Sequence, residues 1–314
     1  MRTVAPQVKA PAAGSYEPAS ERLSRRFDRG VSLLAWGYNE EKLVKSFLDR
    51  AVGLLEECAV DWEIVFVDDC STDRTGSIVD EYARDEPRLR VIHNEKNLNV
   101  GLSCRRAIQN ATKDYLFWQT VDWSYDIANL RIFLELTRDY DVVQGVRPTP
   151  ARLLSYVPVL RSLYRVRKRS DNFRKAIVSL SNYYVLRILF GAKFHDFQNV
   201  SIYPTSMIQS FELRGESSFL NPECLFRALE RGASFIEVPI SFVPRAQGQG
   251  KGTRITSIIK SLADIGSNWL DWGWRFRLER AGDASRRQIH RVSEPFHLDE
   301  DVAELVVPLF QEFR

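Results

Sequence analysis

The feature that most constrains the fold of this chain is an apolar run that ends in two acids, EIVFVDDCSTD at Glu63–Asp73. Residues 64–67 show no polar alternation, which is typical of a strand covered on both faces of a parallel sheet. Asp68 and Asp69 follow at its carboxyl end, where open α/β sheets bind ligands. The alternative, that the segment from Ser71 onward simply caps the next helix, leaves the two acids unexplained. We therefore predict that both acids meet a ligand.

From Val31 onward, short apolar runs alternate with longer helical patterns. This alternation indicates repeated strand-helix-strand units, and therefore an α/β fold with a mostly parallel, doubly wound sheet. Strands are predicted at seven apolar runs: VSLLAW, EIVFV, LRVIH, YLFWQTVD, DVVQGVR, FQNVSIYP and SFIEVPISF. Helices are predicted at about 40–58, 74–84, 101–111, 127–137, 222–231 and 255–270, and a further helical stretch is predicted to end at 190.

Bulk composition excludes several classes of protein. The formal charge of +3 over 314 residues is too small to indicate nucleic-acid binding, and the four cysteines form no CxxC pair. We expect a reduced, cytoplasmic protein without structural zinc. The first 28 residues predict a disordered leader, and no window approaches the roughly 20 apolar residues of a membrane span. The basic stretch 151–175 fits either an anionic surface or a solvated helix face.

Several motifs occur in an order that resembles family 2 inverting glycosyltransferases, especially the branch of dolichol-phosphate mannosyltransferases and bacterial polyprenyl-phosphate glycosyltransferases. They are VSLLAWGYNEE, EIVFVDDCSTDRT, NLNVGLSCRRAIQNATKDYLFWQTVD, DVVQGVR, DFQNVSIYP and EVPISFVPRAQGQGKGTR. The resemblance covers roughly residues 30 to 265 and implies the nucleotide-diphospho-sugar transferase (GT-A type) fold, with a mostly parallel mixed sheet flanked by helices. We expect a leader at 1–28, a glycosyltransferase domain at 29–265 with halves of about 29–125 and 126–265, and a C-terminal helical extension and tail at 266–314.

The resemblance assigns one group of residues to the nucleotide. It places the YNE segment in the first nucleotide-contacting loop and the acidic pair at the base and ribose. Asn99 stands where glycine is usual, and asparagine tolerates the left-handed backbone region better than most residues. The residues so assigned are Tyr38, Asn39, Glu40, Asp68, Asp69, Ser71, Asn97 and Gly101.

The metal motif departs from the family pattern. Relatives carry Asp-x-Asp, whereas this chain has Thr120 at the first acid and Asp122 at the second, with Ser124 two residues later. One carboxylate, hydroxyls and phosphate oxygens are a sufficient set for Mg²⁺ or Mn²⁺, since Mg²⁺ often keeps several waters. We expect Asp122 to be the metal ligand and metal affinity to be weaker than with a complete motif.

The same resemblance implies the catalytic roles. Asp122, with the metal, and Arg245 in the glycine-rich loop would neutralise the leaving diphosphate. Relatives that act on hydroxyls place a Glu-Asp pair after the sheet, the Asp serving as base. Here Glu223 is present but Cys224 occupies the base position, and Glu223 could equally complement a helix dipole.

A phosphate acceptor is already ionised and needs no base, which favours a polyprenyl phosphate. The resemblance places Arg147 and Arg174 at that phosphate. Asp196 matches an acid before the acceptor-side strand and would either orient the sugar or hold the strand edge.

Three functional hypotheses follow. The first is an inverting transfer of a sugar from a UDP- or GDP-sugar to a polyprenyl phosphate or another cell-envelope acceptor, by a cytoplasmic protein at the inner face of the membrane. The second is a soluble transferase onto a hydroxyl of a glycan or glycolipid, with Glu223 or Asp196 as base. The third, suggested by Thr120 and Cys224, is a catalytically silent nucleotide-sugar-binding or scaffold protein.

Overall fold

A computed structural model of the chain describes residues 19–147, 173–240, 255–281, 288–291 and Val306. Its strands are β1 Val31–Gly37, β2 Trp62–Asp68, β3 Leu89–His93, β4 Tyr115–Trp118, β5 Val142–Val146, β6 Ser201–Pro204, β7 Phe235–Pro239 and β8 Ile289–Arg291. They form one sheet in the order β3-β2-β1-β4-β6-β5-β7-β8. β6 runs antiparallel to both of its neighbours, and the other pairs are parallel. The predicted mostly parallel mixed sheet is confirmed.

The described helices flank this sheet. They are α1 Ala19–Ser24, α2 Val44–Cys58, α3 Thr75–Asp85, α4 Asn99–Asn110, α5 Leu130–Leu136, α6 Phe173–Phe190, α7 Thr205–Gln209, α8 Leu220–Glu230 and α9 Ile255–Asn268. After α9 the chain continues through a π-helical turn at Trp269–Gly273, α10 at Trp274–Phe276 and a second π-helical turn at Arg277–Ala281. None of the helices in the described part of the chain is long and apolar enough to cross a bilayer.

The sheet separates two apolar cores, and alternate residues of each buried strand enter opposite ones. In β2, Ile64 and Phe66 belong to the first core cluster, whereas Val65 and Val67 belong to the second. All four side chains are fully buried. This double burial is why the strand lacks polar alternation, because both faces are covered.

The prediction of a disordered leader over 1–28 is wrong for its last ten residues. Residues 19–24 form α1, and Phe27 is fully buried, with its backbone paired to the chain around Ala59. Arg22 also forms an ion pair of 3.1 Å with the buried Glu135 of α5. The Ala-, Pro- and Ser-rich composition of the segment indicated disorder, but the aromatic side chain of Phe27 packs in the first core cluster and orders the chain next to it. Residues 1–18 lie outside the described part.

The predicted domain boundary at residue 265 falls inside α9. Trp272 and Phe276, beyond that boundary, are buried in the second core cluster with Phe190 and Phe226. The helical extension therefore completes the same core as α6 and α8. In the tail, Val306 is fully buried in the first core cluster.

Candidate active site

Loops at the carboxyl ends of β1, β2, β3 and β4 open onto a cavity of about 1590 Å³. Parallel strands direct their carboxyl ends to one sheet edge, so these loops meet there although they are distant in sequence. α6, α9 and the loop 214–218 complete the wall. Among the described residues with predicted roles, the wall includes Tyr38, Glu40, Asp69, Asn97, Asp122 and Arg147.

Asp69 organises the end of the cavity that the resemblance assigns to the nucleoside. Its carboxylate is 4% exposed and accepts hydrogen bonds from the Leu98 backbone N–H at 2.7 Å and the Asn99 backbone N–H at 2.9 Å. The Asn94 side-chain amide donates a third at 2.8 Å. Asp69 therefore holds the start of α4 in place, and it lines the cavity where the resemblance puts the base.

Asp68 has a different role from its neighbour. Its carboxylate lies 3.0 Å from Nδ1 of His93 and accepts a bond from the Ser71 N–H at 3.2 Å. Nε2 of His93 lies 2.9 Å from Asp80. Burial lowers the pKa of His93, but its hydrogen bonds to Asp80 and Asp68 outweigh that effect and raise it above its ordinary value. Asp68 thus anchors β2 to β3, and the described cavity wall does not include it.

Asn39 joins the first nucleotide loop to the second. Its backbone adopts a left-handed conformation with φ of 53°. Its side-chain oxygen accepts a bond of 2.8 Å from the Thr72 N–H, and its own N–H donates to Ser71 Oγ at 3.0 Å. The Glu40 N–H donates to Thr75 Oγ1 at 2.7 Å. Asn39 and Ser71 therefore hold the loops together, whereas Tyr38 and Glu40 line the cavity.

The turn at the start of α4 depends on Asn99 for its backbone conformation and on Gly101 for its close packing. Asn99 has φ of 66°, as expected from the tolerance of asparagine for this region. Gly101 packs so closely on the loop 214–218 that an added Cβ would overlap the backbone of Glu216. Gly101 therefore lets the start of α4 and the loop 214–218 come into contact.

The segment Thr120–Ser124 forms a tight turn after β4. The Trp123 N–H donates to the Thr120 carbonyl at 2.8 Å, and the φ of Trp123 is 51°. The Ser124 N–H lies 3.2 Å from both Thr120 Oγ1 and an oxygen of Asp122. Trp123 is buried against Phe47, whereas Thr120, Asp122 and Ser124 line the cavity.

This turn offers a divalent cation one carboxylate and two hydroxyl groups. The side chains that line the cavity here are the Asp122 carboxylate and the hydroxyls of Thr120 and Ser124, all hard oxygen donors. Nowhere in the described chain do three or more His, Cys, Asp or Glu side chains come together as a metal-binding group. The donor set therefore suits a cation that also takes phosphate and water oxygens.

A buried ion pair joins β5 to the segment before β6. Arg147 Nε lies 2.8 Å from Asp196 Oδ2, and Nη2 lies 3.1 Å from Oδ1, a two-point contact. Asp196 also accepts bonds from the Phe197 N–H and the Asn199 side chain. Burial lowers the pKa of Arg147, but the Asp196 carboxylate more than offsets it and raises the pKa. Arg147 lines the cavity, and Asp196 orients it from behind.

Glu223 is fully buried at the start of α8, and its carboxylate accepts backbone N–H bonds from Arg214 and Gly215, the latter at 2.7 Å. Burial raises the pKa of Glu223, and the backbone N–H groups oppose that effect. Cys224 beside it is also fully buried. Glu223 therefore holds the loop 214–218, and the described cavity wall includes neither residue.

Sequence reasoning missed Asp264 in α9. One oxygen of its carboxylate accepts bonds from the Glu216 N–H at 3.0 Å, the Ser217 N–H at 2.9 Å and the Ser217 hydroxyl at 2.7 Å. Asn268 donates to its other oxygen. Asp264 thus ties α9 to the loop that packs on Gly101. The helical pattern of 255–270 placed an acid on a polar face, but its partner lies 47 positions away.

Two predicted residues fall outside this description. Arg245 and its glycine-rich loop lie beyond the described residues, and Arg174 lies in α6 with its side chain outside them. Their roles at the diphosphate and the acceptor phosphate stay predictions.

Comparisons with known proteins relate this chain to glycosyltransferases. The profile of "Glycosyl transferase family 2" matches residues 37–187. Polyprenol monophosphomannose synthase of Mycolicibacterium smegmatis is 25% identical over 276 residues, 84% of this chain and 93% of that protein. Glycosyltransferase AglD of Haloferax volcanii is 24% identical over 252 residues, 78% of this chain but only 37% of the relative. The chain therefore spans well under half of that relative.

A solved structure shares the fold. Glucosyl-3-phosphoglycerate synthase from Mycobacterium tuberculosis, in complex with Mn²⁺, UDP and phosphoglyceric acid, superposes with a TM-score of 0.51 and 13% identity. The alignment covers 81% of this chain and 84% of that one. This likeness shows the GT-A fold, and the matched profile and the named relatives show a glycosyltransferase. The chain carries a glycosyltransferase family 2 domain at residues 37–187, which confirms the resemblance read from its motifs.

Proposed function

We propose that this chain transfers a sugar from a UDP- or GDP-sugar to the phosphate of a polyprenyl phosphate, with inversion at the anomeric carbon. The observation that carries the choice of acceptor is the state of the two candidate bases. Glu223 is bonded to the backbone of the loop 214–218, and Asp196 is bonded to Arg147 and its own neighbours. Neither carboxylate is placed to take a proton from a hydroxyl, whereas an ionised phosphate needs no base.

The donor would lie across the carboxyl edge of the sheet. Asp69 and the turn that it holds would receive the nucleoside, with Tyr38 and Glu40 on the loop after the adjacent strand β1. The diphosphate would then extend toward the turn Thr120–Ser124, which follows β4 on the other side of β1. The glucosyl-3-phosphoglycerate synthase structure, which shares the fold, holds UDP and Mn²⁺ and supports this arrangement.

Asp122, with the hydroxyls of Thr120 and Ser124, would hold a Mg²⁺ or Mn²⁺ ion. When bound, such a cation would supply positive charge to the departing diphosphate. Asp122 lines the cavity, and the Ser124 N–H donates to its carboxylate within the turn. Arg245 would add a second positive charge from the predicted glycine-rich loop.

The acceptor phosphate would approach from the side of Arg147. Because Asp196 holds Arg147 by two hydrogen bonds, the guanidinium enters the reaction already oriented and loses little side-chain entropy. Arg174 is the predicted second cation at that phosphate. We place the protein at the cytoplasmic face of the membrane, because a polyprenyl-phosphate acceptor is embedded in a bilayer; the name of the mycobacterial relative, polyprenol monophosphomannose synthase, supports an acceptor of this class.

Paired acceptors test this proposal. Radiolabelled UDP- and GDP-sugars are incubated with the chain, Mn²⁺ and either undecaprenyl phosphate or undecaprenol. We expect an acid-labile sugar phosphate from the first acceptor and no transfer to the second. Glu223→Gln, which keeps an oxygen for the backbone N–H groups, should retain turnover within about tenfold, whereas loss of a true base costs about 100-fold or more. Transfer to undecaprenol, or a large loss in Glu223→Gln, would point to a hydroxyl acceptor instead.

A further inference from the structure

The C-terminal helical segment exposes an unusual set of large apolar side chains. Relative exposure is 60% for Ile259, 50% for Leu262, 70% for Leu270, 39% for Trp274 and 75% for Leu278. We define these five residues as the apolar stripe. Along α9, α10 and the π-helical turns, their spacings of three, eight, four and four residues keep them on one face.

The opposite face of the same segment is fixed in the protein. Ile265, Trp272 and Phe276 are buried in the second core cluster, where Trp272 and Phe276 contact Phe226. Trp269 also donates a hydrogen bond of 3.1 Å to the Leu189 carbonyl of α6. The segment is therefore held rigidly by one side while the apolar stripe faces solvent.

The surroundings of the apolar stripe are basic. Lys260, Arg275 and Arg277 are exposed beside it, and the Arg275 guanidinium lies 5.3 Å from the ring centre of Trp274. Two acids of the described segment are exposed, Asp271 and Glu279, and Asp271 forms an ion pair with Arg214. Leucine and tryptophan with adjacent lysine and arginine are the composition that binds the interface of an anionic bilayer.

The apolar stripe is continuous with the cavity. Leu262 belongs to the stripe and also lines the cavity. Ile258 and Lys260, within one helical turn of Leu262, line the cavity too. Arg277 donates a hydrogen bond to the backbone carbonyl of Ile188 on α6. The exposed side chain of Ile188 therefore adds apolar surface next to the stripe. A lipid surface on the stripe would therefore face the wall of the cavity.

We propose that the apolar stripe, with Lys260, Arg275 and Arg277, is a docking surface for an anionic lipid bilayer. The segment lies flat on the membrane, with its apolar side chains among the acyl chains and its basic side chains at the headgroups. Docking would bring the head of a membrane-embedded acceptor to the α9 side of the cavity; this purpose, though not the binding itself, rests on the proposed function. The tail is a poorer occupant, since Val306 packs in the first core cluster, away from the stripe.

Vesicle sedimentation tests the proposal with the full chain. Vesicles of phosphatidylcholine with phosphatidylglycerol are compared with phosphatidylcholine alone. The test variant is Leu270→Asp with Leu278→Asp, because neither side chain lines the cavity. The matched control is Val60→Asp, which alters a side chain that is 59% exposed and lies outside the stripe. We expect the test variant to lose at least about tenfold in partition onto anionic vesicles, the control to bind like the wild type, and added salt to weaken binding.

The melting temperature and UDP or GDP binding of each variant verify folding. If the double aspartate variant unfolds, Leu270→Gln with Leu278→Gln replaces it. Wild-type chain that fails to sediment with anionic vesicles, or a test variant that binds like the wild type, overturns the proposal. A wild-type dimer that the test variant dissociates, without vesicle binding, would assign the stripe to self-association instead. Sedimentation needs no donor or acceptor, so a failed transfer assay would not affect its outcome.

Discussion

At the end of the cavity proposed to bind the nucleoside, Asp69 accepts bonds from two backbone N–H groups and one side chain, and Asn39 ties two loops together. At the end proposed to bind the diphosphate, the turn Thr120–Ser124 carries one carboxylate, that of Asp122. The first end is held together by hydrogen bonds within the protein. In the proposed mechanism, the second would depend on charges that come from elsewhere, namely from a cation and from predicted arginines. Binding of the nucleoside and catalysis of transfer should therefore respond differently to mutation.

The largest expected effect is at the diphosphate end. Asp122→Asn removes the carboxylate of the turn, and we expect turnover to fall by roughly 100- to 1000-fold, since charge stabilisation of the leaving group is lost. Donor affinity without metal should change little. Steady-state kinetics at saturating donor, with Mn²⁺ titrated, measures both effects.

Two variants of the same region control that result. Asp126→Asn alters a carboxylate that bonds the Ala128 N–H and does not line the cavity, so turnover should stay near that of the wild type. Thr120→Asp restores the family motif and should lower the Mn²⁺ concentration needed for half-maximal turnover. Equal losses in Asp122→Asn and Asp126→Asn would remove Asp122 from its proposed role.

The next effect is at the nucleoside end. Asp69→Asn weakens three hydrogen bonds to a buried carboxylate, and we expect donor affinity to fall about 100-fold, the equivalent of roughly 3 kcal/mol. Calorimetric titration with UDP and with GDP measures it. Asp85→Asn, at the end of α3, changes an exposed acid outside the site and should bind like the wild type. An unchanged affinity in Asp69→Asn would show that this end is not where the nucleoside binds.

A smaller effect probes the contact between the two halves of the cavity. Gly101→Ala forces the nucleotide turn away from Glu216, and we expect the free energy of unfolding to fall by about 1–3 kcal/mol. Gly53→Ala is the matched control, because its new Cβ meets nothing within 4 Å in α2, and it should stabilise by about 0.5–1 kcal/mol. Urea denaturation compares them. If both variants gain stability, the close contact at Gly101 is not present in solution.

The smallest effect is the pH response of His93. Its pKa in the folded state is raised by Asp80 and Asp68 although burial opposes the shift. The protonated ring therefore stabilises the fold fully below its ordinary pKa of 6.5, and this contribution is lost as pH rises through the raised value. We expect the stability difference between wild type and His93→Gln to shrink over that interval. Melting curves from pH 5 to 9 measure it, and a difference independent of pH would contradict the role of His93.

The sequence predicted the nucleoside end better than the acceptor end for a physical reason. Residues 31–118 form strand-helix-strand units, in which each loop follows its own strand, so the position of Asp69 follows from local order. The sequence did not separate the roles of the two acids, since Asp68 bonds to His93 while Asp69 lines the cavity. That division depends on side-chain direction at adjacent positions.

Acceptor-side contacts join elements that are remote in the chain. Arg147 meets Asp196 across 49 positions, and Asp264 meets Ser217 across 47. In the hydroxyl-acceptor hypothesis Glu223 or Asp196 would serve as the base, but the Glu223 carboxylate accepts a hydrogen bond from the backbone N–H of Gly215. No periodicity in the sequence specifies such pairs. Arg147 meets Asp196 only when β5 and β6 lie side by side, and Asp264 meets Ser217 only when α9 packs on the loop 214–218.

The sequence by itself determined the alternation of buried strands and helices, the place of Asp69 at a strand end and the incomplete metal motif at Thr120. These properties are local, and hydrophobic periodicity and residue chemistry are sufficient to predict them. The tertiary structure alone decided which acids face the cavity, that Phe27 belongs to the core, and that the apolar stripe is left exposed beside the cavity. The physical reason is that burial and hydrogen-bond partners depend on which distant segments pack together.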